Sequence, residues 1–127
     1  MKTLVRRPSN LMIRKGPEGQ GVFASRRIPA NSIIFIMRGE IVTEPTITSV
    51  QIGKFAHIED KTAGCINHSC KPNAVVHRET KSFLTLREIQ VGEEITFDYN
   101  KNEDKLKEPL ICKCCGKFIA GKDVPQE

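Results

Sequence analysis

Two stretches decide how this chain is read: Asn67-His68-Ser69-Cys70-Lys71-Pro72-Asn73 and, after two apolar runs, Gly92-Glu93-Glu94-Ile95-Thr96-Phe97-Asp98-Tyr99-Asn100. The first is a polar loop set between Gly64-Cys65-Ile66 and an apolar run beginning at Ala74. Its Asn and Ser side chains suit local backbone hydrogen bonding, so the plain reading is a self-satisfied turn. The sharper reading has Asn67 and His68 presenting polar groups to a ligand while Cys70 faces a metal. The second stretch reads as a strand ending in Tyr99, the only Tyr of the chain. Strand ends expose hydroxyls to clefts, which separates Tyr99 from an ordinary core residue.

Outward from these, short apolar runs alternate with turn residues: 11–15, 21–26, 32–43, 46–52, 74–79, 82–88 and 94–99. The spacing predicts a mainly β chain of several short twisted sheets, with a two-residue Thr80-Lys81 hairpin loop. Helical turns are expected only over 102–107 and within 61–66. With 127 residues, everything must fit one core, built from Ile, Val, Leu and Phe because Trp is absent. No apolar run reaches the ~18 residues of a membrane span, and the opening MKTLVRRPSN lacks a secretory apolar region, so a soluble intracellular protein is expected.

Net charge is +5, and residues 1–27 hold seven cations against Glu18 alone. Such an end could approach a polyanion, but no aromatics are interleaved for base stacking, so nucleic acid is expected to be met only weakly or indirectly. Five Cys is an odd number, and three of them crowd into Cys112-Lys113-Cys114-Cys115, a pattern that fits metal binding better than a disulfide framework. Gly16-Pro17-Glu18-Gly19-Gln20-Gly21 sits between two strand-like runs. Its glycines permit close backbone approach by a ligand, but the spacing is not the dinucleotide fingerprint and no helix follows.

Taken in order, GPEGQGVFA, NHSCKPN and GEEITFDYN resemble the SET-domain family of protein-lysine methyltransferases, over about Leu11 to Gly121. The resemblance implies a β-clip fold with a pseudoknot-like arrangement: a basic extension at 1–10, the SET domain at 11–108 and a Cys-rich tail at 109–127. It implies S-adenosylmethionine held by Glu18, Gly19, Gln20 and Gly21, with Asn67 at its amino-acid end and His68 meeting the adenine through its main chain. Tyr99 would be the catalytic hydroxyl. Phe97 falls where the family chooses between Phe and Tyr, and Phe there is associated with adding more than one methyl.

The family's tail pattern C-x-C-x4-C, joined to the Cys of NHSC, implies zinc at Cys70, Cys112 and Cys114. The last expected Cys is replaced by Ile119, and Cys115 restores four thiolates; Cys65 or water is the alternative fourth ligand. Gly64-Cys65 stands where relatives often carry an Arg-Phe pair, and the second active-site Tyr common in the family is absent. Phe118 would either cover the adenine or fill core, and His57 and His77 are read as core or surface residues. The expected substrate is a protein with an exposed lysine, drawn in by Glu93, Glu94, Asp98, Glu103 and Asp104. Because residues 44–63 are short, a second copy would complete the groove, as in the smallest viral members, giving a homodimer. A zinc-stabilised interaction module without turnover and a plain nucleic-acid binder are the competing readings.

Overall fold

A computed structural model describes residues 10–16 and 19–124. Its β1 (Leu11–Gly16) and β2 (Gly19–Ala24) pair antiparallel from Leu11↔Ala24 to Gly16↔Gly19. The alternation expected of a half-buried strand is visible in β2, where Val22 and Ala24 are wholly buried. Three-stranded sheets follow: β3 (Ile33–Ile36), β9 (Ser82–Thr85) and β8 (Ala74–His77) in that order, and β4 (Glu40–Val42), β6 (Ala56–Glu59) and β5 (Val50–Gly53). The shared core is built around Phe83, stacked on Phe35 with centroids 5.2 Å apart and meeting Phe97 edge-on at 5.2 Å.

Several segments depart from the expected bounds for local reasons. The run 32–43 is two strands, because Met37 turns into the core and Gly39 passes against Glu59, where a Cβ would lie 1.8 Å from the carbonyl oxygen. Residues 46–49 are not strand: the Thr46 N–H donates to Ser49 Oγ and the Thr48 hydroxyl to Glu59, so side chains take the bonds a ladder would need. The β8–β9 loop has four residues, 78–81, with Lys81 in the left-handed region at φ 56°. The one α turn among the described residues, α1 (Tyr99–Asn102), starts earlier than expected because the Asp98 carboxylate caps it, accepting from the Asn100 N–H at 2.9 Å. The 3₁₀ turn at Ala63–Cys65 lies within the 61–66 expectation.

Two features bring the motifs together. The segment 89–95 lies along β2, with Ala24 N–H donating to the Glu93 carbonyl and Ile95 N–H to Val22. Then β7 (Asn67–His68) and β10 (Thr96–Phe97), far apart in sequence, pair in parallel with Thr96 opposite Asn67 and Phe97 opposite His68. Asn73 fastens this crossing: its amide donates to the Glu94 carbonyl at 2.7 Å and accepts from the Thr96 N–H at 2.9 Å. The tail is sewn to 100–106 by Leu106 N–H to Ala120, Lys122 N–H to Glu103 and Gly121 N–H to Asn100 Oδ1. Ahead of these bonds it forms the small hairpin of β11 (Leu110–Ile111) and β12 (Phe118–Ile119). No helix among the described residues is long and apolar enough to cross a membrane.

Candidate active site and cysteine cluster

The glycine hairpin, the Asn-His pair and the acidic strand meet at one amide. Asn67 Nδ2 donates to the Gln20 carbonyl at 3.2 Å and to Glu94 Oε2 at 2.8 Å. Gly21 permits this approach, since a Cβ there would lie 2.7 Å from Glu94 Oε2 and 3.3 Å from Asn67 Nδ2. Gly19 adopts φ +96°, which side-chain-bearing residues rarely take. Glu18 lies outside the described residues, as do the first nine positions of the basic extension.

His68 links this junction to the phenol. Its Nδ1 accepts the Tyr99 N–H at 3.0 Å, so the neutral ring carries its proton on Nε2, and that buried atom has no partner among the described residues. Its ring meets Tyr99 edge-on at 5.3 Å. The Tyr99 hydroxyl donates to the Ile66 carbonyl at 2.5 Å, and the ring lies 4.8 Å from Phe97. Burial, with the Glu103 and Glu94 charges behind it, pushes the Tyr99 hydroxyl well above its ordinary range, so it stays a neutral donor at physiological pH. Tyr99 thus sits at the start of α1, two residues beyond the strand whose end it was expected to occupy.

Tyr99, Phe97 and Ile66 line a cavity of about 260 Å³ together with residues 46–50 and 106–110. Glu103 lines it as well. Of the acidic residues grouped by sequence, Glu93 is held by Arg87 at 2.6 Å, Asp104 by Lys122 at 3.5 Å and by Gln51, and Asp98 by its capping role. Only Glu103 reaches the cavity. Sequence reading passed over Gln51, which is buried and clamps this wall: its N–H donates to Glu103, and its side chain bonds both the N–H and the carboxylate of Asp104. A lone Gln among β-branched neighbours was the available signal.

The Sγ atoms of Cys70, Cys112, Cys114 and Cys115 all lie within 4.8 Å of one another. The closest pairs are Cys70–Cys114 at 2.6 Å and Cys112–Cys114 at 3.1 Å. A tetrahedral four-thiolate site with ~2.3 Å bonds has edges of ~3.8 Å, so this quartet is the right size to hold a metal ion. The hydrogen bond from Cys114, backed by backbone N–H groups of 114 and 115, holds the Cys112 thiol down to about 5. Hydrogen bonds to Cys114 and Cys115 push Cys70 up to about 12. Cys65 is elsewhere, its thiol facing Gln20 Oε1 at 3.6 Å and the Lys61 carbonyl. Ile119 is buried, and Phe118 is 40% exposed, which removes the core-filling reading of that ring.

The SET domain family model matches residues 19–100, which span β2, the Asn-His pair and the phenol. The chain belongs to the SET-domain family. Among curated proteins, this SET domain is 33% identical to "Histone-lysine N-methyltransferase, H3 lysine-36 specific" of Eremothecium gossypii, over 83% of this chain and 19% of that protein. The protein of the same description from Saccharomyces cerevisiae is also 33% identical, over 83% of the chain and 18% of the relative. That of Gibberella zeae is 27% identical over 87% and 15% respectively. The chain thus spans about a fifth of the length of these relatives.

Proposed function

We propose that this chain transfers methyl groups from S-adenosylmethionine to a lysine side chain of a protein, a histone-like basic protein being the favoured substrate. The observation that supports this most is the direct chain of contacts from Gln20 and Asn67 through His68 to Tyr99, with a side-chain-sized cavity beyond the phenol. Gly19, Gln20, Gly21, Asn67 and His68 would hold the cofactor, joined by Glu18. The half-buried Asn67 side chain and the His68 Nε2, which has no partner among the described residues, suit a polar zwitterionic ligand. When bound, the cofactor supplies an electrophilic methyl on a sulfonium.

The chain's own part is positioning. A lysine with a reference pKa of ~10.4 must lose its proton before it can act, and an apolar wall of Phe97, Ile66 and Leu106 disfavours the charged form. Tyr99, fixed through both its N–H and its hydroxyl, steadies the amine in line; such alignment can contribute roughly 7–11 kcal/mol. Phe97 brings no hydroxyl to the channel, so a partly methylated amine finds no anchor there, and the product is di- or trimethyllysine. The cysteine quartet holds structural zinc and ties the tail to the Asn-His segment. A second copy completes the groove beside residues 44–63, and nucleic acid is met only through the basic residues. The site works in the reducing interior of a cell.

Tritiated S-adenosylmethionine, the purified chain and core histones provide the test. Label on lysine, with mass spectrometry giving its degree, is the expected result. Cofactor binding by calorimetry without label on any protein in a lysate would instead establish the non-catalytic module.

A further inference from the structure

Glu103 is a buried carboxylate, 2% exposed, on the wall of the cavity that Tyr99 shares. Its N–H donates to the Tyr99 carbonyl at 2.8 Å, one helical turn away. Both hydrogen bonds to its side chain fall on a single oxygen: Oε2 accepts from the Gln51 N–H at 2.8 Å and from Asn102 Nδ2 at 2.7 Å. Among the described residues no donor meets Oε1, and no Lys or Arg nitrogen forms an ion pair with the group. Arg78, whose charge favours the carboxylate, gives its donors to Asn102 instead. Lys107 stands exposed at the cavity mouth without pairing to it.

A buried, half-satisfied carboxylate is costly to keep unless something complements it. Among the described residues no cation pairs with it, Lys107 and Arg78 included, so the complement comes from what enters. We propose that Glu103 is the specificity-determining residue of the cavity, taking up the ammonium end of an incoming lysine side chain. This rests on the lysine methyl-transfer reading above. Gln51 and Asn102 position the carboxylate by holding Oε2, which leaves Oε1 for the ligand. The role is recognition of charge on entry, and proton loss follows deeper among the apolar side chains.

The test is calorimetry on the full chain with a histone H3 peptide bearing lysine 36 and the same peptide with norleucine there, an uncharged side chain. Glu103→Gln keeps an oxygen for both hydrogen bonds and removes only the charge. The lysine peptide is expected to bind about tenfold more weakly to the variant, the norleucine peptide within about twofold of wild type. Equal weakening of both peptides would mean a structural role and overturn the proposal. So would an unchanged lysine affinity, or a wild-type chain that prefers norleucine or takes up neither peptide. Loss of the methyl-transfer reading shows separately, as absence of label in the wild-type assay.

Discussion

The Tyr99 hydroxyl donates to the Ile66 carbonyl, joining the end of the third motif to the residue just before the Asn-His pair. The phenol oxygen is therefore fixed at the cavity wall, and a lone pair is left for whatever sits beside it. Tyr99→Phe should lower methyl transfer by about a hundredfold or more while S-adenosylmethionine affinity, read by calorimetry, stays within about threefold. Unchanged turnover would remove Tyr99 from the chemistry.

Asn73 bonds the backbone of residues 94 and 96 from a position 2% exposed. Asn73→Ala strands one carbonyl and one N–H in the crossing of β7 and β10. The expected loss is about 2–4 kcal/mol of unfolding free energy in urea titration. A loss under half a kcal/mol would show that water replaces the side chain there.

Metal analysis of the purified chain should find one zinc per molecule, and a chelator should lower the melting temperature. Cys115→Ser should reduce zinc retention as much as Cys70→Ser, while Cys65→Ser keeps it, because Cys115 and not Cys65 joins the quartet. Full zinc in Cys115→Ser would give the fourth position to another ligand.

Burial raises the Glu103 carboxyl above its ordinary value, outweighing the hydrogen bonds from Gln51 and Asn102. A group raised on folding contributes stability below its unfolded pKa and loses it as pH climbs through the folded value. Glu103→Gln, which cannot ionise, should therefore melt higher than wild type at pH 7, with the gain shrinking toward pH 4. Melting curves of the two proteins across that range decide it; a gain that is flat with pH would mean the charge is not what burial penalises.

Much of this was legible in the sequence because it resides in side-chain types at fixed spacing. Asn67, His68, Tyr99 and the crowded cysteines announce themselves as polar or sulfur groups in places a plain strand would not put them. The strand runs were read correctly where apolar and polar residues alternate, as in β2. They were overextended where Thr and Ser compete for backbone bonds, as at 46–49, and β6 showed only as the strand-like surroundings of His57, because His57 and Glu59 dilute its apolar signal. The burial of Glu103 and Gln51 was not legible. A carboxylate in a charged segment looks solvated until the fold folds it under, and only three-dimensional contacts distinguish it from Glu93 or Asp104.

The parallel crossing of β7 and β10 also fixes an order of events. A parallel pair needs a long crossover, here the one that carries the β8–β9 hairpin, and such nonlocal closure is slow compared with local turns. During synthesis the β1–β2 hairpin and the two three-stranded sheets can assemble from residues already made. The sulfur quartet must wait for residue 115 to clear the ribosome. The tie between the tail and the Asn-His segment is thus made after both three-stranded sheets can already stand.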